Sequence, residues 1–468
     1  MFAGSKRAPG TKPIRPDRDP VRSLSSLMPS AALTVAFMLA PFGLSACDSG
    51  REVTLEVTAK QDHATTASLT GFFDVRTFGA KGDGITDDVS AIRAAVRLAT
   101  ESNGTVYFPP GVYRYSDLPL HVKDTLTIQG AGKRQTLLKP LRSYSGFAIR
   151  IEDCWRADGE KPSATHLDID ANRAGVVIRD LSIGGDRRWP AAGIQTYDRV
   201  DFLNIENVDL VYLKGTALQL GVEGGAAAVE PPRPAGSNLA LIRESRFENV
   251  FVRLSGDSSS PPLHISTGPE VRDGTNQLEF FGCGIVENYS GAVIENHNRH
   301  NHDTRRIQFY GLMLHGRNKH SDAPADALLT LRGHITDISF YGLRANGSHQ
   351  VDGRMFGTVR IEGDSRPDTP RARNRAPRGL QFIGAGTRNC NGHGFVVDDV
   401  ESMTVRGIAH TRTIAGSEIV FEEGSVRDGF VYDVLADGPR TIAISTETRA
   451  RVRIRPRLFA KHVSRQSR

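Results

Sequence analysis

A strand pattern that returns along most of the chain limits what it can fold into. Val177-Ile178-Arg179-Asp180-Leu181-Ser182-Ile183 alternates apolar and polar residues around Asp180. The design recurs at Asn204–Leu210, Phe280–Ile285, Phe309–Leu314, Phe340–Ala345, Phe382–Ala385 and Val405–Ile408. With Ile178, Ile205, Ile242, Phe280, Phe309, Phe340, Phe382 and Val405 as anchors, the spacings are 27, 37, 38, 29, 31, 42 and 23 residues. A period in that range marks stacked supersecondary units, and period-two alternation makes the units strands. One coil cannot bury its apolar row alone, but stacked coils can. The Gly, Asp or Asn two residues after most anchors is where the chain turns between strands. The 47 glycines suit such a fold. Leucine-rich repeats carry a regular leucine consensus and propeller blades have similar lengths, so neither fits. Variable spacing fits coils whose loops absorb insertions: 221–238, 255–275 and 363–378 read as long loops, where function tends to sit.

Residues 71–113 form a distinct entry module. Phe73–Arg76 reads as a strand and Gly79-Ala80-Lys81-Gly82-Asp83-Gly84 as a glycine-rich turn. Thr86-Asp87-Asp88 opens a helix, Thr86 capping its free N–H groups and the aspartates facing its positive end. Val89, Ile92, Val96 and Ala99 share one helical face. Asn103-Gly104 ends it before the strand Thr105–Phe108 and the turn Pro109-Pro110-Gly111.

This ordered run, Phe78–Asp88, then Ala91-Ile92, then Gly104–Tyr113, resembles the entry module of the pectate-lyase-like (rhamnogalacturonase/epimerase-like) superfamily. The resemblance implies an all-β fold, a right-handed single-stranded parallel β-helix with an N-terminal capping helix. It gives Asp83, Asp87 and Asp88 a structural role and is silent on the reaction. Polygalacturonase signatures are missing: Gly392-His393-Gly394 is present and reads as a turn, but no Arg-Ile-Lys follows it. The Asp-Pro-His of alginate epimerases is absent, and Asp168, Asp170 and Arg173 only faintly echo a calcium-dependent lyase.

The termini carry the basic charge. The net charge is +6, made of +4 over residues 1–47, +8 over 449–468 and −6 between them. The body is mildly acidic, and no helix-turn-helix, zinc finger or aromatic-basic platform points to nucleic acid. Lys6, Arg7, Lys12, Arg15, Arg18 and Arg22 precede the apolar stretch Ala31–Ala40, which is too short for a membrane span. Leu44-Ser45-Ala46-Cys47 resembles the bacterial lipobox, which implies lipidation of Cys47. The expected layout is a lipoprotein signal peptide over 1–46, a tether over 47–70 and a cap with the first coils over 71–140. A β-helix over 141–457 and a basic tail over 458–468 follow. The protein is expected to be exported and to reach the membrane through its lipid, facing the periplasm or the cell surface. Cys283 and Cys390 read as small buried hydrophobes. The alternation from Arg449 to Arg457 around Val452 and Ile454 reads as a charged edge strand that blocks further pairing.

Aligned anchors align outward positions. Four past each anchor lie Ser182, Asp209, Arg246, Gly284, Met313, Arg344, Gly386 and Ala409; six past lie Gly184, Val211, Glu248, Val286, His315, Asn346, Arg388 and Thr411. The densest polar segment is Glu295–Asp303. Imidazole suits a base near neutral pH and carboxyl an acid. The catalytic candidates are therefore Glu295, His297, His315 and Glu248, with Arg344, Arg388 and Arg246 as binders of a uronate carboxylate. No metal site is assigned, although calcium fits such chemistry. The expected function is a polysaccharide-active enzyme, a lyase or glycoside hydrolase on an acidic polysaccharide. The alternative is a non-catalytic polysaccharide-binding envelope lipoprotein. A tailspike-like adhesin comes third, since the lipobox speaks against it. Oligomeric state is left open, a trimer included.

Overall fold

The computed structural model describes residues 71–117, 120–122, 125–142, 144–151, 175–197, 200–222, 242–257, 259–267, 274–296, 303–316, 327–346, 350–351, 354–355, 357–363, 376–390, 393–397 and 400–406, with the strand segments 412–413, 419–421, 426–433, 442–443 and 452–454. Cys47, Cys154, Asp168, Asp170, Arg173, His297, the leader, the tether and the basic tail lie outside the described residues.

The chain is a parallel β-helix built on one 23-stranded and one 11-stranded parallel sheet. Each central coil supplies three strands. In one coil these are Asn276–Phe281, Gly284–Asn288 and Ala292–Asn296, and in the next Thr304–Tyr310, Met313–Gly316 and Leu329–Gly333. The first two rows of strands belong to the larger sheet, and the third row forms the 11-stranded sheet. Between the first and second rows runs a column of left-handed residues: Asp180, Asn207, Asn249, Gly282, Gly311, Gly342 and Gly384, with φ from 52° to 73°. These residue types enter that region most easily. Asn249 Nδ2 donates to Asn207 Oδ1 at 3.0 Å, and Asn207 Nδ2 to Asp180 Oδ1 at 2.7 Å, so the turn is zipped along the stack.

The register bears out the anchors with one correction. Ile178 pairs with Ile205, and Phe280, Phe309, Phe340, Phe382 and Val405 follow rung by rung. At the third rung, however, Phe247 pairs with Ile205 and Phe280, whereas Ile242 pairs with Val200. Ile242 is apolar and buried, but it opens the strand Ile242–Glu248, five residues before Phe247. The correct anchor creates an internal ring stack. Phe247, Phe280, Phe309, Phe340 and Phe382 lie 4.4, 4.5, 4.8 and 4.9 Å apart between successive centroids, all near-parallel. The distances follow the strand spacing of about 4.8 Å, so each ring lies over the one below.

Residues 255–275, expected as a loop, contain the strand Leu263–Thr267, and His393 with Gly394 opens the strand His393–Val397 instead of a turn. Cys283 is buried, with its thiol pushed up to about 11 by burial, as a small hydrophobe should be. A strand does form at Val452–Ile454, pairing with Phe430–Tyr432.

In the entry module, the helix Val89–Glu101 buries Ala91, Ile92, Ala95, Val96 and Ala99 and packs against the strands Phe72–Asp74 and Thr105–Phe108. Its start differs from expectation. Thr86 does not cap it; its hydroxyl donates to Asp83, and Val89 N–H reaches Asp87 Oδ1 at 3.2 Å. Asp88 accepts from Lys81 N and Gly82 N at 2.6 and 3.2 Å, and Asp83 from Ile85 N and Thr86 N, both at 2.8 Å. The Thr86 and Ile85 amides hold the Asp83 carboxyl down to about 2. All three aspartates are thus occupied in shaping the turn. Among the described residues, no helix is long and apolar enough to cross a membrane.

Candidate functional site

The outward face of the 11-stranded sheet carries a polar ladder interrupted at Val293. One row runs Arg150, Gln195, Gln219, His264, Val293, Thr330 and Arg360 in register. Two residues further along the strands runs Ser266, Glu295, Arg332 and Glu362. Both rows are outward because Ile265, Ile294, Leu331 and Ile361 between them are buried. Strand alternation therefore places a histidine, two carboxylates and three guanidinium groups on one surface.

Their contacts link successive rungs. Arg150 Nε donates to Gln195 Oε1 at 2.9 Å, and Gln195 Nε2 to Gln219 Oε1 at 3.1 Å. One rung on, His264 Nε2 lies 2.9 Å from Glu295 Oε1. Arg332 Nη1 donates to Glu295 Oε2 at 3.4 Å and its Nε to Glu362 Oε2 at 2.7 Å, while Arg360 pairs with Glu362 from the other side. The carboxylates are 17% and 16% exposed, against 40% for Arg332. The cation is therefore the accessible partner. Burial pushes the Glu362 carboxyl up, but the bond from Arg332 and the charges of Arg360 and Arg332 outweigh it and hold it below the ordinary range.

The arrangement has a defined chemical capacity. An ionised Glu295 accepts from His264 Nε2, so that nitrogen carries the proton and Nδ1 is left as the basic one. Arg332 stands beside the pair as a planar two-pronged cation suited to a carboxylate. A hydrolytic pair is a poor fit, because Arg332 stands on the rung between Glu295 and Glu362. Arg332 bonds both and fills the gap where an inverting enzyme keeps its water. Between the described strands, the widest sequence intervals, 152–175, 223–241 and 363–379, follow the C-terminal ends of this sheet's strands.

The expected site residues separate over three surfaces. Glu295 belongs to this ladder. His315 and Arg344 sit on the second row, His315 between Val286 and Asn346 and Arg344 beside Met313, with Arg388 at the register position after Asn346. Arg246 and Glu248 are displaced from that row by the corrected anchor, and Phe251 and Arg253 stand there instead. On the first row Arg246 bridges Glu248 at 3.1 Å and covers the Phe281 ring at 4.3 Å; both side chains are about half exposed. The structure thus does not bring Glu248, Glu295 and His315 together. His264, Arg332, Arg360 and Glu362 went unremarked in the sequence. The alternation Leu263-His264-Ile265-Ser266-Thr267 is the signal that could have found the first of them.

The second row holds its own buried charge. Lys133 Nζ lies 3.2 Å from Asp209 Oδ1, an approach too oblique for a well-aligned hydrogen bond, and donates to Asn249 O at 2.5 Å. Burial pushes the Lys133 ammonium down while Asp209 pulls it back. Because both partners are deeply placed, we read this pair as a clamp holding the 131–135 turn to the stack. Among the described residues, no group of three or more His, Cys, Asp or Glu is placed to hold a metal ion.

Comparison with known proteins agrees with this architecture. Residues 72–207 match the family described as rhamnogalacturonase A/epimerase, pectate lyase-like. The mannuronan C5-epimerase AlgE6 of Azotobacter vinelandii is 40% identical over 116 residues, which cover 22% of this chain and 13% of that protein. The preneck appendage protein of Bacillus phage PZA is 25% identical over 295 residues, 59% of this chain and 31% of its own length. The chain therefore corresponds to a minor part of each of these relatives. The solved structure of Geobacillus virus E2 ORF18 superimposes with a TM-score of 0.57 at 17% identity, over 81% of this chain and 64% of that one, a likeness of fold. With its coil register and entry module accounted for, the chain is a parallel β-helix whose residues 72–207 are similar to the pectate-lyase-like family.

Proposed function

We propose that this protein acts on an acidic polysaccharide laid along the outward face of the 11-stranded sheet, and that its chemistry begins with removal of the C5 proton of a uronate residue. The observation that carries this reading is the His264–Glu295–Arg332 cluster, with imidazole, carboxylate and guanidinium in contact at 2.9 and 3.4 Å. Arg332, with Arg360 behind it, pairs with the uronate carboxylate and draws charge from the α carbon. His264 Nδ1 accepts the proton, and Glu295 holds the ring. The similarity to a protein named as a mannuronan C5-epimerase supports the substrate class. Expulsion of the C4 substituent makes the same intermediate a lyase product; return of a proton to C5 makes an epimer.

A second reading, a binder without turnover, draws on the saturation of the ladder, in which every carboxylate is already bonded to a neighbour. We also propose that the helix Val89–Glu101 closes the end of the stack. Lipidation of Cys47 in an exported precursor would tether the protein to the cell envelope. Loss of lipid labelling in Cys47→Ser tests that anchoring.

The deciding experiment incubates the protein with uronate polysaccharides in D2O. Deuterium at C5 by NMR and the absorbance of unsaturated uronate are followed together. Deuterium incorporation abolished by His264→Gln, which keeps the bond to Glu295, supports the reading. Reducing ends without deuterium or unsaturation refute it in favour of hydrolysis.

A further inference from the structure

The outward row that carries His264 differs on its two sides. In register, His264 has Val293 on one neighbouring strand and Gln219 on the other. One neighbour offers only apolar surface, the other a primary amide. Gln219 ends a relay of three side chains that pair rung by rung, Arg150 with Gln195 and Gln195 with Gln219. Arg150 Nε donates to Gln195 Oε1 at 2.9 Å, and Gln195 Nε2 donates to Gln219 Oε1 at 3.1 Å. Gln195 is buried and Gln219 half-buried.

The polarity of this relay is forced. A guanidinium donates and cannot accept. Gln195 must therefore turn its carbonyl oxygen to Arg150, which leaves its NH2 facing Gln219 and draws the Gln219 carbonyl oxygen towards it. Hydrogen bonds aligned in one sense polarise one another, so the charge of Arg150 strengthens the donors of Gln219 two rungs away. The relay ends there: Gln219 Nε2 has no acceptor among the described residues. Its two N–H donors thus stand one strand from His264, about 4.8 Å at the usual spacing. That step is close to the length of one pyranose residue in an extended polysaccharide.

We infer that Gln219 is a specificity-determining residue, whose amide donates to the carboxylate of the uronate next to the one that loses its C5 proton to His264. The inference rests on the substrate proposed above. Arg150, acting through Gln195, is a positioning residue that keeps the Gln219 donors turned to the sugar. A neutral sugar at this place brings an uncharged oxygen, and hydrogen bonds to an ionised acceptor are roughly twice as strong as neutral ones. The sugar on the opposite side of the reacting residue meets Val293 in this row and finds no donor. The two directions along the polysaccharide are therefore read differently, and one of them is preferred.

The test measures binding of oligouronates of increasing length by calorimetry, beside their turnover. In the wild type, affinity should rise about tenfold or more at the length that first fills the Gln219 position. Gln219→Glu keeps the bond from Gln195 but presents a negative oxygen to the sugar; it should abolish that rise, with KM raised and kcat retained. Gln219→Met, which removes the donors without adding charge, should abolish it too. Arg150→Gln, whose amide can face Gln195 either way round, should lose part of the rise, and Arg150→Lys, again only a donor, should recover it. In the Gln219→Glu background Arg150→Gln should cost nothing more, because the carboxylate itself then fixes Gln195. Melting midpoints should stay close to that of the wild type. A rise kept by Gln219→Glu and Gln219→Met overturns the inference, as do equal losses at every length with a lowered melting midpoint. Additive losses from Arg150→Gln and Gln219→Glu overturn the relay. A wild type that binds oligouronates with a Gln219-dependent rise but neither exchanges nor eliminates overturns the reaction and leaves the subsite standing. A wild type that binds none of them overturns the substrate and the subsite with it.

Discussion

Substituting the central rings of the phenylalanine stack tests whether the coils are held by their neighbours or by the stack as a whole. Phe309 is fully buried and lies between two near-parallel rings, at 4.5 Å from Phe280 and 4.8 Å from Phe340. Phe247, at the end of the stack, has one such neighbour at 4.4 Å, because Ile205 occupies the rung below. Leucine keeps most of the apolar bulk and removes the ring. An aromatic pair contributes about 0.5–1.5 kcal/mol beyond area burial. Phe309→Leu therefore loses two such terms and Phe247→Leu one. The cavity terms are similar, so Phe309→Leu should be the more destabilising by about 0.5–1.5 kcal/mol. Stacked repeats contact only their neighbours, so the added loss should be local. Hydrogen exchange resolved by peptide, at a series of urea concentrations, measures it strand by strand. Protection should fall first in 276–281, 304–310 and 335–341. Equal losses for the two variants, or a uniform fall along the chain, would refute the pairwise account.

Three further outcomes follow from the same geometry. Lys133→Ala should cost about 3 kcal/mol by leaving Asp209 buried with only the more distant Arg253, and Lys133→Met with Asp209→Leu should recover most of it; urea unfolding decides. Acid titration of the melting midpoint should show stability from Glu362 that is full above the ordinary glutamate range and lost as pH falls through its lowered folded-state value, because protonation breaks the bonds to Arg332 and Arg360; Glu362→Gln should flatten that descent. Gly291→Ala should be severely destabilising, since its Cβ would lie 1.9 Å from Ala327 O, whereas Gly282→Asn, at φ 59° with nothing within 4 Å, should be close to neutral in thermal unfolding.

These contrasts also explain what was legible in the sequence. The left-handed column was readable because asparagine, aspartate and glycine occupy it for a conformational reason, and three of its members, Asp180, Asn207 and Asn249, are zipped by their own side chains. The first row was readable because its apolar anchors sit at a fixed distance from that column. The misplacement at Ile242 has a local origin: Ile242 and Phe247 are five apart, in opposite phases of a period-two pattern, and both are buried because the left-handed Glu244 between them shifts the phase, so only pairing with Ile205 distinguishes them. The third row had no such marker. Its strands follow connections of unequal length, so nothing in the sequence carries their phase from coil to coil, and His264, Glu295, Arg332 and Glu362 are scattered singly through almost a hundred residues. Glu295 was noticed because it borders a dense polar segment, and His264 was hidden inside a stretch that read as loop. The ladder exists only through register. A one-residue slip of a strand such as Leu263–Thr267 would turn His264 inward and break the contact with Glu295. The buried Leu263 and Ile265 beside His264 therefore do more than fill the core: by fixing which face points out, they decide whether the site forms at all.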